Sequence, residues 1–415
     1  MKLLILTQYF PPEVGAPQNR LFELAVHLCK AGVDITVLTA MPNYPQMEIY
    51  QGYRNKKYVY EEMEGLKIHR SSIYVSKNKS ILSRLWNYFS FVLSSAIKGN
   101  SKLNNFDFLL CESPPLFLGY SALFLARRKN ARLIFNVSDL WPESAEKLRV
   151  VTNKWLLKFA YNLEGRLYKK SVLVTGQTQG ICTNIEQRFP NVKTYWLPNG
   201  VDLSYYDPAI IAKDNWREKQ GFSKNDFVFL YAGIIGIAQG LEIILQAAKH
   251  FSDRTDIKFV LMGSGPEKIR LMDLKEQLRL TNVWFIEPIT KKEMPFVLKN
   301  INAAIIPLRK LDLFLGAIPS KLFENLAMEI PVLLGVDGEA KDLFINKGKC
   351  GLFFEPENTD QLIECIKHLV NDRALAQQLG KNGRAFVNNY FNREVIAQGF
   401  YEQLIKLQQI KANTR

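Results

Sequence analysis

Two doubly wound α/β domains in tandem are predicted, and three observations predict them. Short runs rich in β-branched residues alternate with helical patterns from end to end of the 415-residue chain. The runs carry several apolar residues in succession instead of strict alternation, as suits parallel strands buried on both faces. The series also occurs twice, with a turn-rich seam between.

In the first half "KLLILT", "VDITVLT", "FDFLLCE", "ARLIFNVSD" and "SVLVTG" read as strands. In the second, "DFVFLYAG", "IKFVLMGSG", "TNVWFIEP", "INAAIIPL" and "IPVLLG" do so. Amphipathic segments such as "QNRLFELAVHLCKAG" and "GLEIILQAAKHF" lie between them. The seam falls in "YWLPNGVDLSYYDP", Tyr195 to Pro208, where Pro198, Asn199 and Gly200 interrupt the pattern. The last stretch, "GKNGRAFVNNYFNREVIAQGFYEQLIKLQQI", is helical and surplus to the second sheet, so it is expected to pack back on the first domain. The expected division is therefore 1–197, 198–385 and 386–415.

The length exceeds one comfortable core, and 47% apolar with 23% charged residues is the composition of an ordinary globular protein. Five cysteines and four histidines are dispersed without ligand or disulfide spacing, which implies a reducing compartment and no structural metal. "MKLLILTQYFPPE" ends its apolar run in a Pro-Pro-Glu turn, which suits a buried first strand better than a signal peptide. No run of 18 apolar residues is present.

The formal charge of +14 is lopsided. Residues 1–200 hold 26 Lys and Arg against 14 Asp and Glu, whereas residues 201–415 hold 28 against 26. Between Gly65 and Phe106 there is no acid, while Lys67, Arg70, Lys77, Lys79, Arg84, Lys98 and Lys102 are basic. Trp86, Tyr88, Phe89 and Phe91 sit in that stretch, a mixture that suits an interfacial helix on an anionic membrane surface. A solvated basic face around core aromatics accounts for the same residues. Nucleic acid is not expected, since no recognised binding motif accompanies the charge.

In each half one strand opens into a glycine-bearing loop: "LTQYFPPEVGAPQNRLFELA" with Gly15, and "YAGIIGIAQGLEIILQAA" with Gly233, Gly236 and Gly240. Glycine there admits a close ligand, and a following helix start favours phosphate. Neither loop has dinucleotide spacing. "LFLGAIPSKLFENLAMEIPVLLG" is sharper. A helix begun at Pro319 leaves the N–H groups of Ser320 and Lys321 unpaired at its start, and Lys321 and Glu324 share a face. By itself such a pair is commonly only a solvated surface pair.

Taken together, the long first loop, the "LPNGVD" hinge, "YAGIIG..QG", "LMGSGPE" and "GAIPSKLFENLAMEIPVLLG" resemble, in order and spacing, the family 4 retaining glycosyltransferases. "SDLWPES" with "IPSKLFENLAM" resembles the bacterial O-antigen and capsule branch of fucosamine-transferase-like enzymes. The resemblance covers essentially the whole chain. It implies the GT-B fold, in which two Rossmann-like domains face each other across a cleft. It implies transfer of a sugar, with retention, from a nucleotide-diphosphate donor, UDP-linked and of the N-acetyl-fucosamine type. The implied acceptor is a polyprenyl-diphosphate-linked saccharide, reached from the cytoplasmic face of the bacterial inner membrane.

By the same resemblance Glu324 grips the ribose. Pro319, Ser320, Lys321 and Leu322 meet the diphosphate, with Gly15, Gly233, Gly236 and Gln239 as further donor contacts. Lys321 and Asp139 would carry the catalysis, with Trp141 as a sugar platform. No metal or other cofactor is implied, because Lys321 and the helix start supply positive charge and no D-x-D motif is present. Three departures stand out. Gly316 occupies the place of the first glutamate of the family's pair. Ile235 or Gly236 and Gln239 stand where many members have a basic pair, and Ser138–Asp139 replaces a His–Asp pair. Asp139 as a helix cap and Trp141 as core packing remain open alternatives. So do a sugar-nucleotide epimerase of the same architecture and a non-catalytic subunit.

Overall fold

The computed structural model describes residues 1–13, 15–77, 81–147, 151–212 and 214–412, apart from the side chains of 16, 81, 82, 84, 411 and 412. The chain divides into Met1–Asn199 with Arg393–Arg415, and Gly200–Asn392. Residues 386–392, placed by sequence in the last segment, stay with the second unit. The helical pattern there breaks in two, Arg373–Tyr390 and Arg393–Ala412, and the Val201 N–H donates to the Phe391 carbonyl at the break.

The first unit is built on strands β1 (Lys2–Leu6), β2 (Asp34–Ala40), β3 (Tyr58–Met63), β4 (Leu66–Ser71), β5 (Phe108–Ser113), β6 (Arg132–Val137), β7 (Leu173–Gly176) and β8 (Thr194–Trp196). They form one sheet in the order β3-β4-β2-β1-β5-β6-β7-β8, parallel except for the β3–β4 hairpin. Order reversal at β1 puts helices on both faces. Leu3 and Ile5 of β1 join a core with helix Ala16–Lys30 and with Ala397, Phe400, Leu404 and Leu407 of the last helix. Leu4 and Leu6 join the opposite core with Phe91, Phe117 and Leu167. That helix is also fastened by the Arg393–Glu23 ion pair at 2.6 Å.

The second unit carries β9 (Phe227–Ala232), β10 (Ile257–Met262), β11 (Val283–Ile286), β12 (Ala303–Pro307), β13 (Val332–Gly335) and β14 (Gly351–Phe353). These form an all-parallel sheet in the order β11-β10-β9-β12-β13-β14. Phe227, Phe229 and Phe259 pack on one face, where the Phe229 and Phe259 rings stack at 5.5 Å. On the other, Phe323 meets Phe344 at 5.7 Å and Phe391 at 5.1 Å. The order again reverses at the first strand, so the loops at the carboxyl ends of β9 and β12 form the natural ligand crevice of this unit.

Candidate functional site

The crevice contains a cavity of about 470 Å3. Its lining includes Gly233, Gln239, Pro319, Ser320, Lys321 and Glu324, so six of the residues singled out in the sequence converge on one space. The helix that carries the last two is short, Lys321–Ala327, and it opens two residues later than sequence suggested, with Ser320 at its cap. Seven residues generate only a modest dipole. The Leu322 N–H is taken by the Pro319 carbonyl and the Phe323 N–H by that of Ser320, each in a tight 3-10 turn. Leu322 itself is fully buried, which removes it from the ligand-facing set.

Lys321 is therefore the principal positive group of the cavity. Its ammonium sits 3.8 Å from the centre of the Tyr231 ring, and a Cβ at Gly233 would come within 2.9 Å of Nζ. Gly233 has φ +142, open to glycine alone, so both backbone and space require it. Part of the lysine stem stays accessible, but burial of the ammonium brings its pKa down to about 7 against a smaller opposing pull from Glu324. The Tyr231 hydroxyl donates to the Ile234 carbonyl at 2.5 Å, which fixes the ring under the lysine. Sequence gave no sign of Tyr231, because a tyrosine at the end of an apolar strand reads as core.

Gly236 does not line the cavity. It caps the turn Ile237–Gln239, and a Cβ there would approach Gln239 Oε1 to 2.8 Å, so its role is to let the Gln239 side chain fold over it. The glycines of "LMGSGPE" serve backbone packing: a Cβ at Gly263 would strike the Gly233 carbonyl at 1.9 Å. Gly316 also lies outside the lining.

The remaining sequence-predicted residues belong to the first unit. At Gly15 φ is extended and a Cβ would meet Gln18 Oε1 at 2.4 Å, so the Gln18 side chain lies against this glycine. Asp139 is exposed and accepts from the Ser144 hydroxyl at 2.5 Å, tying the turn to helix Glu143–Lys147. Trp141 is half-buried and packs edge-on against Phe117 at 5.5 Å, so the core takes part of its ring. Ser138 is engaged at β6's end: its hydroxyl bonds Glu112 and accepts from Arg20 Nη2 at 2.6 Å, while Arg20 and Glu112 pair at 2.7 Å, nearly buried. Glu112 closing an apolar run was the one sequence signal for this cluster.

Comparison with known proteins fits this geometry. Residues 18–205 match the model for Glycosyltransferase Family 4, and residues 212–386 match that for Glycosyl transferases group 1. The chain belongs to the family 4 glycosyltransferases. WcaI of Escherichia coli, named as a colanic acid biosynthesis glycosyl transferase, is 25% identical over 379 residues, covering 88% of this chain and 91% of WcaI. An Escherichia coli enzyme named UDP-Gal:alpha-D-GlcNAc-diphosphoundecaprenol alpha-1,3-galactosyltransferase is 26% identical over 58% of this chain and 59% of its own. Among solved structures, sucrose-phosphate synthase from Thermosynechococcus elongatus superimposes with a TM-score of 0.74 at 17% identity, covering 99% of each chain. Anabaena Alr3699/HepE, solved with UDP and glucose, gives 0.71 at 16% identity over 98% of this chain and 100% of its own. The fold is GT-B, and this family 4 member is a glycosyltransferase enzyme.

Proposed function

We propose that this glycosyltransferase moves a sugar, with retention, from a UDP-linked donor of the N-acetyl-fucosamine type to a polyprenyl-diphosphate-linked saccharide, in building bacterial O-antigen or capsule. The carrying observation is the single cavity in which Lys321, Ser320 and Glu324 converge. In it, Lys321 and the Ser320 and Lys321 amides take the diphosphate, and Glu324 takes the ribose hydroxyls. As the sugar's bond to the diphosphate breaks, charge grows on the leaving oxygen, where Lys321 stabilises it. That task needs one cation, so transfer is expected to survive EDTA. Asp139 is assigned to orienting a sugar. Relatives named for colanic acid, capsule and diphosphoundecaprenol chemistry support the pathway class, and a fold neighbour solved with UDP supports the nucleotide.

The same reading places the first unit on the cytoplasmic face of the inner membrane. Helix Ile81–Lys102 turns its polar Asn87 and Ser95 inward, bonded to Gln8 and Ser121, and presents Trp86, Phe89, Leu93 and Ile97 to solvent. Trp86 is 67% exposed and Leu93 64%. This corrects the sequence expectation: Phe91 is buried and Tyr88 packs on the core, while Leu93 and Ile97 take their places on the apolar stripe. Lys98 and Lys102 flank it over the Tyr58 ring, and Lys77 pairs with Glu48 at 2.5 Å. Lys79 and the Arg84 side chain lie outside the described residues. No helix among the described residues is long and apolar enough to cross a membrane.

Mass spectrometry of bacterial membranes incubated with the purified protein and a panel of nucleotide sugars tests the reaction. Gain of one sugar on a polyprenyl-linked saccharide is expected. Conversion of a nucleotide sugar to its epimer with no acceptor present would instead establish the epimerase. Sedimentation with anionic vesicles tests the surface: Trp86→Ser with Leu93→Ser should bind less, and equal sedimentation would remove the helix from the membrane.

A further inference from the structure

Arg309 lies just beyond β12 and makes more polar contacts than any surface role requires. Its backbone N–H donates to the Ala238 carbonyl at 2.9 Å, and its Nε donates to the Ile237 carbonyl at 3.0 Å. The other two guanidinium nitrogens are spread between two carboxylates, Glu242 at 2.5 Å and Glu357 at 2.8 Å. Glu357 also accepts from the Lys310 N–H at 3.3 Å, and Glu242 from Arg270 at 3.3 Å. Gly240, at φ +57, lies against the aliphatic stem, where a Cβ would come within 3.4 Å of Cγ. The fork is held at fixed orientation by carboxylates from two separate elements, and its remaining donor points at one short turn.

That turn is the glycine loop of the cavity. Ala238 and Gln239 line the cavity from one side, and Pro307 and Leu308 line it from the strand that leads into Arg309. We propose that Arg309 is a positioning residue, a clasp that locks the loop 233–240 to the end of β12 and so sets the affinity for the nucleoside diphosphate. The proposal rests on the reading of this cavity as the donor site. Arg309 touches no ligand itself. Its effect reaches the donor through Ala238 and Gln239: the Ala238 carbonyl keeps the backbone N–H of residue 309 in any variant, whereas the side-chain tie from the Ile237 carbonyl to the two carboxylates is made by the guanidinium. A lysine cannot replace it, because one ammonium lacks the planar fork that meets two carboxylates and a carbonyl together.

The test combines calorimetry with UDP, donor kinetics and amide hydrogen exchange on wild type, Arg309→Ala and Arg309→Lys. Losing one or two such bonds should weaken UDP binding by on the order of tenfold in Arg309→Ala, with a smaller loss in Arg309→Lys. KM for the donor should rise with kcat held, since the clasp acts on ground and transition states alike. Exchange should quicken at residues 237–240 and not across the rest of the unit. Wild-type UDP affinity in Arg309→Lys, or unchanged exchange at 237–240 in Arg309→Ala, would overturn the clasp. If Arg309→Ala unfolds, Arg309→Lys decides the matter alone. Failure of the wild type to bind any nucleoside diphosphate overturns the donor-site reading itself, whereas binding that is indifferent to Arg309 overturns only this inference.

Discussion

The two units open their first strand into equivalent loops, and the loops have been filled in opposite ways. After β1, the carboxylate of Glu13 lies 99% buried and accepts the N–H groups of Phe10 at 3.1 Å, Asn43 at 2.7 Å and Tyr44 at 2.8 Å. An internal anion already sits among those amides, and Gln18 covers Gly15. After β9 there is no such carboxylate. A lysine leans over a tyrosine beside Gly233, and the neighbouring space is a cavity. One fold thus yields a loop covered by its own side chains and an open one, and the difference is whether the anion is covalently part of the chain. Binding is expected where it is not.

The hardest test of that contrast is removal of Lys321. Lys321→Ala should reduce transfer by about a hundredfold or more, the scale seen when one preorganised stabiliser of developing charge is lost. Activity within a few-fold of wild type would show that the loop amides alone suffice. Glu324→Ala should weaken UDP binding by about 1.5–3 kcal/mol, the cost of hydrogen bonds to a charged group. Equal affinities in calorimetry would remove Glu324 from the ribose.

A third test uses pH. The pKa of Lys321 is about 7 in the ligand-free protein, and a bound diphosphate restores it toward the ordinary lysine range. The lysine is then already charged below pH 7 but must take up a proton on binding above it. UDP affinity should therefore fall by up to about tenfold per pH unit from pH 7.5 to 9.5, where the nucleotide's own phosphate no longer titrates. Lys321→Met should abolish the slope while lowering affinity throughout. A wild-type profile flat across that range would contradict a buried, partly neutral lysine.

How much of this was legible in the sequence follows from where the information lies. The ten apolar runs all became strands, because a buried parallel strand announces itself locally. β3 and β4 went unread: β3 is an edge strand carrying Glu61 and Glu62, and β4 contains Arg70, fully buried yet paired with Glu61 at 2.5 Å. A buried arginine contradicts any pattern of apolar alternation until its partner is known. The three-residue edge strands β8 and β14 are too short to show a period. In the site, Ser320, Lys321 and Glu324 were visible because they are neighbours in one helix start. Tyr231 and Arg309 were not, since each acts on a residue some 70 to 90 positions away. Gly15 shows the complementary limit: a glycine loop looks the same in sequence whether the space beside it is open or is covered by a side chain such as Gln18.

The smallest effect on UDP binding is expected from Glu13, and it sharpens the comparison most because its effect should be confined to stability. Burial raises the carboxyl's pKa, while the three backbone N–H groups pull it back. Glu13→Ala strands all three donors, which should cost stability about 1–3 kcal/mol for each amide left unpaired. Glu13→Gln keeps one oxygen. Because Oε1 serves both Asn43 and Tyr44, and Oε2 serves only Phe10, the amide can retain the first two bonds by placing its oxygen there and lose the third. Its cost should accordingly be the smaller of the two. Since its raised folded pKa favours the protonated form, the contribution of Glu13 to stability is greatest below the unfolded carboxyl pKa and declines as pH rises through the folded value. In Glu13→Gln that decline should vanish. Neither variant should alter UDP affinity, because the amides concerned are satisfied within the first unit. Chemical denaturation of the three proteins at two pH values, with calorimetry beside it, measures both quantities. A Glu13→Gln protein that keeps its stability yet binds UDP less well would mean that the first loop also serves the nucleotide, and the contrast between the two loops would fail.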